Sequence, residues 1–152
     1  MGALDDLLNA AGSWQATYKL RDPGNLISGD SDSIAHVHRV LGGRFVRLDY
    51  SWADKGQPQE GSLLVGWEKV SGGVTMVWID TWHNSDRIMV LTGTVADDGT
   101  LVARGSYNAA PGPDWGWRTQ LFATEDVVSL VMFNVSPEGA EELAVHAQYR
   151  RL

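Results

Sequence analysis

Trp14-Gln15-Ala16-Thr17-Tyr18-Lys19-Leu20 alternates apolar and polar side chains with a period of two. Successive side chains of an extended strand point to opposite faces, so this stretch predicts a half-buried strand. Upstream, Leu4, Leu7 and Leu8 share one stripe of a short helix over about residues 3–11, and Gly12 is placed to end it. Downstream, residues 21–30 contain Pro23-Gly24 and Gly29 and predict a loop. Ile34 to Leu41 leads into Gly42-Gly43, a hairpin signal, and Arg44 to Trp52 ends on the polar tip Asp54-Lys55-Gly56. Further strand-like runs cover about 61–70, 74–82, 87–96, 101–109, 115–124, 127–135 and 140–151. Turn formers such as Ser71-Gly72-Gly73, Asp97-Asp98-Gly99 and Pro137-Glu138-Gly139 separate them. A meander of about ten strands must protect its edges, and closure removes them. The predicted fold is all-β: a roughly ten-stranded antiparallel up-and-down barrel (about 13–151), one domain over 1–152, with the helix capping one end.

Composition narrows the function classes. The 152 residues carry 12 Lys and Arg against 19 Asp and Glu, a net charge of −7, which argues against a nucleic-acid partner. With 43% hydrophobic and 20% charged residues, the chain is too apolar for disorder. It has no cysteine, which excludes disulfides, thiolate zinc sites and a cysteine nucleophile. No apolar run approaches the roughly 18 residues of a membrane span, and the first residues lack the basic patch of a signal peptide. No membrane partner and a cytoplasmic location are expected. Val74 to Ile79 and Val127 to Phe133 are apolar on both faces, so a helix, a flattened barrel side or a second copy must cover them. A homodimer is one expectation. The compositional surplus is in Trp, seven in all.

Four of those tryptophans have polar company. Met76, Trp78, Asp80 and Trp82 share a strand face, and burial there would raise the Asp80 pKa, as acid–base work requires. The competing reading pairs Asp80 with an interior arginine or leaves it in water at the rim. Trp115 and Trp117 share a face ahead of Arg118, and with Tyr107 they suit an aromatic wall over a ligand or a plug at the barrel end. Arg118 is the best candidate for an interior anion anchor, ahead of Arg47 and Arg104. Trp14, Trp52 and Trp67 read as packing. His36 and His38 form a weak His-x-His metal pair without a companion carboxylate, so solvent-facing histidines are the expectation. His83 could carry a proton or cap the turn at Asn84. Nucleotide-binding glycine loops and the Gly-x-Ser-x-Gly elbow are missing.

Several segments also stand in a familiar order. They are Gly12-Ser13-Trp14, Gly42-Gly43-Arg44-Phe45-Val46-Arg47-Leu48-Asp49-Tyr50, Asp80-Thr81-Trp82-His83-Asn84, Pro111-Gly112-Pro113-Asp114-Trp115-Gly116-Trp117-Arg118-Thr119 and Ala147-Gln148-Tyr149-Arg150-Arg151. Together they resemble a bacterial family, domain of unknown function 1579, over nearly the whole chain. The resemblance implies a calycin-like (lipocalin-like) barrel, distantly similar to fatty-acid-binding proteins and haem-binding nitrobindins, and brings no established activity. The nitrobindin haem ligand falls at Ala144. His146, two residues on and taken to share its face, would coordinate only a shifted haem, so no cofactor is expected. The leading expectation is binding of a small apolar or amphipathic molecule in the lumen by Trp78, Asp80, Trp82, Tyr107, Trp115, Trp117 and Arg118. The alternatives are a cofactor-free isomerase or cyclase using Asp80 or His83, haem binding through His146, and a filled lumen with a dimer surface.

Overall fold

The computed structural model describes residues 2–22 and 27–152. Helix α1 (Ala3–Asn9) is followed by β1 (Gly12–Asp22), β2 (Ile27–Val40), β3 (Phe45–Asp54), β4 (Gln57–Trp67) and β5 (Gly73–Asp80). Then come β6 (Met89–Val95), β7 (Leu101–Tyr107), β8 (Trp115–Ala123), β9 (Val128–Val135) and β10 (Glu141–Arg151). Each strand pairs antiparallel with its sequence neighbour, and β10 returns to β1 through pairs such as Tyr18↔Ala147, closing the barrel. The expected fold class and strand order are those observed. No helix among the described residues is long and apolar enough to cross a membrane.

Alternation places Trp14, Tyr18 and Leu20 inside, as it does Val46, Leu48, Tyr50 and Trp52 on β3 and Val74, Met76, Trp78 and Asp80 on β5. Leu63, Leu91 and Leu121 are fully buried between them, each contributing about 1.5–3 kcal/mol relative to an exposed position. The lumen is thus packed at the helix end. There Leu4 and Leu7 close the barrel, and Trp14 donates its indole N–H to the Ala10 carbonyl (2.8 Å) beneath Arg151. The helix stops at Asn9, before Gly12, because Gly12 already opens β1.

Several boundaries differ from expectation, with β4 shifted to Gln57–Trp67 from about 61–70. Pro23-Gly24 lies outside the described residues, but much of the loop expected over 21–30 is strand: β1 runs to Asp22 and β2 starts at Ile27. The β1–β2 ladder is continuous from Asp22↔Ile27 to Gly12↔Val37. The polar run Ser28 to Ser33 conceals this because its inward residues are small. Ser33 is buried against Tyr149, hydroxyl to hydroxyl at 2.8 Å. β5 also ends at Asp80 rather than near residue 82, as the chain enters a turn.

The buried tyrosines make an alkaline test. Burial pushes Tyr18 and Tyr50 well above 10.0, and pushes Tyr149 up to about 12 against the lowering effect of its Ser33 bond. Because these folded-state values are raised, their stabilisation is full below the unfolded value and is lost as pH rises through the folded ones, about 12 for Tyr149. Tyrosinate absorbance is therefore expected to rise cooperatively with alkaline unfolding. Independent titration of these three rings in the folded protein would contradict their burial.

Candidate functional site

The barrel end opposite α1 is formed by the turns after β3, β5, β7 and β9. Between β5 and β6 the chain makes the turn Thr81–Asp86, with Asn84 N–H donating to the Asp80 carbonyl (3.0 Å) and the Asn84 side-chain amide donating to the Trp78 carbonyl (3.1 Å). This fold-back points His83 into the barrel end and seats it over Asp80. Their side chains are 7% and 0% exposed.

Asp80 is a fully bonded buried carboxylate. Oδ1 accepts from the Trp82 and His83 backbone N–H groups (both 2.9 Å) and lies 3.1 Å from His83 Nδ1. Oδ2 accepts from the Tyr50 hydroxyl (2.7 Å) and the Trp52 indole N–H (3.3 Å), while Trp78 Nε1 donates to the Tyr50 oxygen (2.9 Å). Burial pushes the Asp80 pKa upward, but the hydrogen bond and charge of His83, its backbone N–H and the Tyr50 hydroxyl outweigh burial and hold it below 3.8. The expected rise is corrected to a fall, and the expected arginine partner is replaced by neutral donors and His83. Since a carboxylate only accepts, His83 Nδ1 carries a proton, and in the uncharged form of the ring this tautomer leaves Nε2 as the acceptor.

Gly61 makes this network reachable. It pairs with Tyr50 on β3 and with Asp80 on β5, so it stands between them on the inner face of β4. A Cβ there would lie 2.3 Å from the Tyr50 hydroxyl oxygen, so only glycine lets that side chain cross the strand to Asp80.

Indoles enclose the His83 ring. Trp82 and Trp117 meet it edge to face at centroid distances of 4.7 and 5.5 Å, with Trp78 and Trp52 tilted at 5.4 and 5.6 Å. Trp78 and Trp117 stack on each other at 5.0 Å, and Trp82 Nε1 donates to Asp54 (3.2 Å). Above this cluster opens a cavity of about 620 Å³, lined by Trp78, Trp82, His83, Asn84, Tyr107 and Trp117 among others, with exposed Ile88 and Leu143 at its edge. Three lining residues carry buried polar atoms with no hydrogen-bond partner among the described residues: His83 Nε2, Asn84 Oδ1 and Trp117 Nε1.

Residues 5–151 match the family described as "Protein of unknown function (DUF1579)". The chain belongs to that family. No curated protein matches it. Among solved structures, the crystal structure of Rv2717c from M. tuberculosis is similar at 16% identity and a TM-score of 0.64, covering 100% of this chain and 98% of that one. At that identity the likeness is one of fold, and it agrees with a calycin-like barrel.

Within this DUF1579 barrel, the expected site residues separate. Trp78, Trp82, Tyr107 and Trp117 meet at the cavity, while Asp80 lies behind His83. Trp115 shares the inner side of β8 but does not line the cavity. Arg118 is corrected to the outer face, where it binds Glu141 (Nε to Oε2, 2.8 Å) and covers the Phe133 ring at 4.2 Å. Arg47 and Arg104 are also outside, Arg47 on Asp49 and Arg104 beside Glu141. His36 meets Ser13, and His38 meets Asp49 at 3.2 Å, both on the outer side; no group of three metal-ligating side chains occurs among the described residues.

The alternative of a haem held through His146 does not fit the residues present. A bulge between Leu143 and Val145 turns both Ala144 and Val145 inward and sends His146 outward, opposite Val131 and Lys19. Ala144 offers only a methyl group at the position of the nitrobindin ligand, so the residues do not fit a haem held in that manner. Sequence reasoning also missed Tyr50 and Trp52. Their inward parity on β3 was the available signal.

Proposed function

We propose that the protein binds a small, flat amphipathic molecule at the end of the barrel opposite its helix. The observation that carries this reading is the coincidence of the cavity with three unpartnered buried polar atoms in its indole-rich wall. An unsatisfied buried donor or acceptor costs about 1–3 kcal/mol, which a ligand supplying the complementary groups recovers. Apolar walls with a few convergent polar groups are the usual makeup of small-molecule pockets.

Intrinsic tryptophan fluorescence tests the reading directly. An aromatic amphiphile such as 1-anilinonaphthalene-8-sulfonate is expected to quench it saturably. Trp117→Ala should weaken binding about tenfold, equivalent to about 1.4 kcal/mol. Equal binding by the variant would move the site elsewhere, and no saturable quenching would remove it.

A second reading, cofactor-free acid–base chemistry in the same cavity, is favoured by the Asp80–His83 contact. It makes His83 the proton carrier, because Asp80 is held ionised.

A further inference from the structure

Resting on that binding site, we infer that its ligand is a conjugated weak acid, a phenol or enol, that gives its hydroxyl proton to His83 Nε2. Three features of the geometry lead there. Asp80, with two backbone N–H groups, Tyr50, Trp52 and His83 Nδ1 around it, orients the imidazole and leaves Nε2 as the acceptor. Nε2 itself has no hydrogen-bond partner among the described residues although the ring is almost wholly buried. The surrounding indoles provide flat apolar surfaces suited to a conjugated ring rather than to an alkyl chain.

The transfer balances within the site. The ligand O–H bond breaks with its electron pair remaining on oxygen, and the Nε2 lone pair forms the new N–H bond. The imidazolium is then held between the Asp80 carboxylate and the ligand oxyanion, and the proton returns when the ligand leaves. Trp117 Nε1–H is a second donor for the oxyanion once the ring is seated. The charged groups around the cavity are Arg21 and Asp22 from β1, Asp86 and Arg87 from the β5–β6 connection and Glu142 from β10. Arg21 is paired with Asp30 at 3.0 Å. Because Nε2 is buried, contact requires the enclosing wall to shift; Trp82, whose indole N–H donates to Asp54, is the least buried of the four surrounding indoles.

4-Nitrophenol is the probe, because its anion is yellow and its neutral form is not. In buffer below its solution pKa, the protein is expected to generate the phenolate band saturably as tryptophan fluorescence is quenched. 4-Nitroanisole, with the same ring and no acidic proton, should bind more weakly and develop no such band. His83→Gln should lower the bound phenolate roughly tenfold, about 1.4 kcal/mol. Quenching without a phenolate band, or nitroanisole bound as tightly as nitrophenol, overturns the inference and leaves the binding site standing. Absence of quenching by either probe overturns the inference too, while the anilinonaphthalene titration judges the site on its own. The comparison of the two probes uses the unaltered protein, so it decides even if His83→Gln does not fold.

Discussion

Asp80→Ala is expected to destabilise the protein by about 3–5 kcal/mol, read from the shift in its urea unfolding midpoint. The carboxylate is buried, and the substitution orphans the Tyr50 hydroxyl, the Trp52 indole N–H, His83 Nδ1 and two backbone N–H groups together. Each buried orphan costs about 1–3 kcal/mol, partly relieved as the 81–86 turn relaxes. Asp80→Asn keeps an acceptor and should lose less. The pH dependence separates charge from shape. The folded-state pKa of Asp80 lies below the unfolded one, so its stabilisation is present above the unfolded value and lost as pH falls through the folded one. The wild type should lose this increment in acid, and Asp80→Asn should not. A loss under about 1 kcal/mol for Asp80→Ala would show that the network is not a structural anchor.

Gly93→Ala should cost about 3 kcal/mol or more, although it adds only a methyl group. Gly93 sits on the inner side of β6 opposite Ala103, and a Cβ there would lie 1.8 Å from the Val102 carbonyl oxygen and 2.8 Å from Ala103 Cα. Both obstacles are backbone atoms of β7, so no rotamer change relieves them. β6 and β7 must separate, across a ladder of only four residue pairs. For a chain of this length the loss corresponds to a melting temperature lower by about 6–12 °C. Gly29→Ala is the control, since nothing lies within 4 Å of the added atom, and it should stay within about 0.5 kcal/mol. Similar effects at the two positions would mean that close strand approach is not what Gly93 provides.

Local alternation explains why so much of the barrel is legible in the sequence. A strand repeats every two residues, so each run declares its faces and each turn its residues, without knowledge of distant partners. The same rule already separates Arg118 from Trp117, because adjacent residues on a strand cannot both face the lumen. Treating Arg118 as an interior anchor conflicts with the alternation that places Trp117 inside. His146 is different. Its own stretch alternates, with Val145, Ala147 and Tyr149 inward against His146 and Gln148, but the bulge after Leu143 turns Ala144 inward as well, so the face of Ala144 is not the face of His146.

By itself, the sequence determined an all-β closed barrel, the order of its strands, the helix at one end and the shared strand face of Trp78 with Asp80 and of Trp115 with Trp117, because these follow from short-range periodicity. The closed structure decided which face turns inward. Only the tertiary structure decided what Asp80 meets. Its partners Tyr50 and Trp52 are 30 and 28 residues away, brought to it across Gly61 by the register of three strands. His83 becomes part of the site because a turn folds back over the carboxylate, and Trp52 becomes more than packing because the barrel is closed. A hydrogen-bond network at a barrel end is a property of register and curvature, and these are set by the pairing of all the strands together.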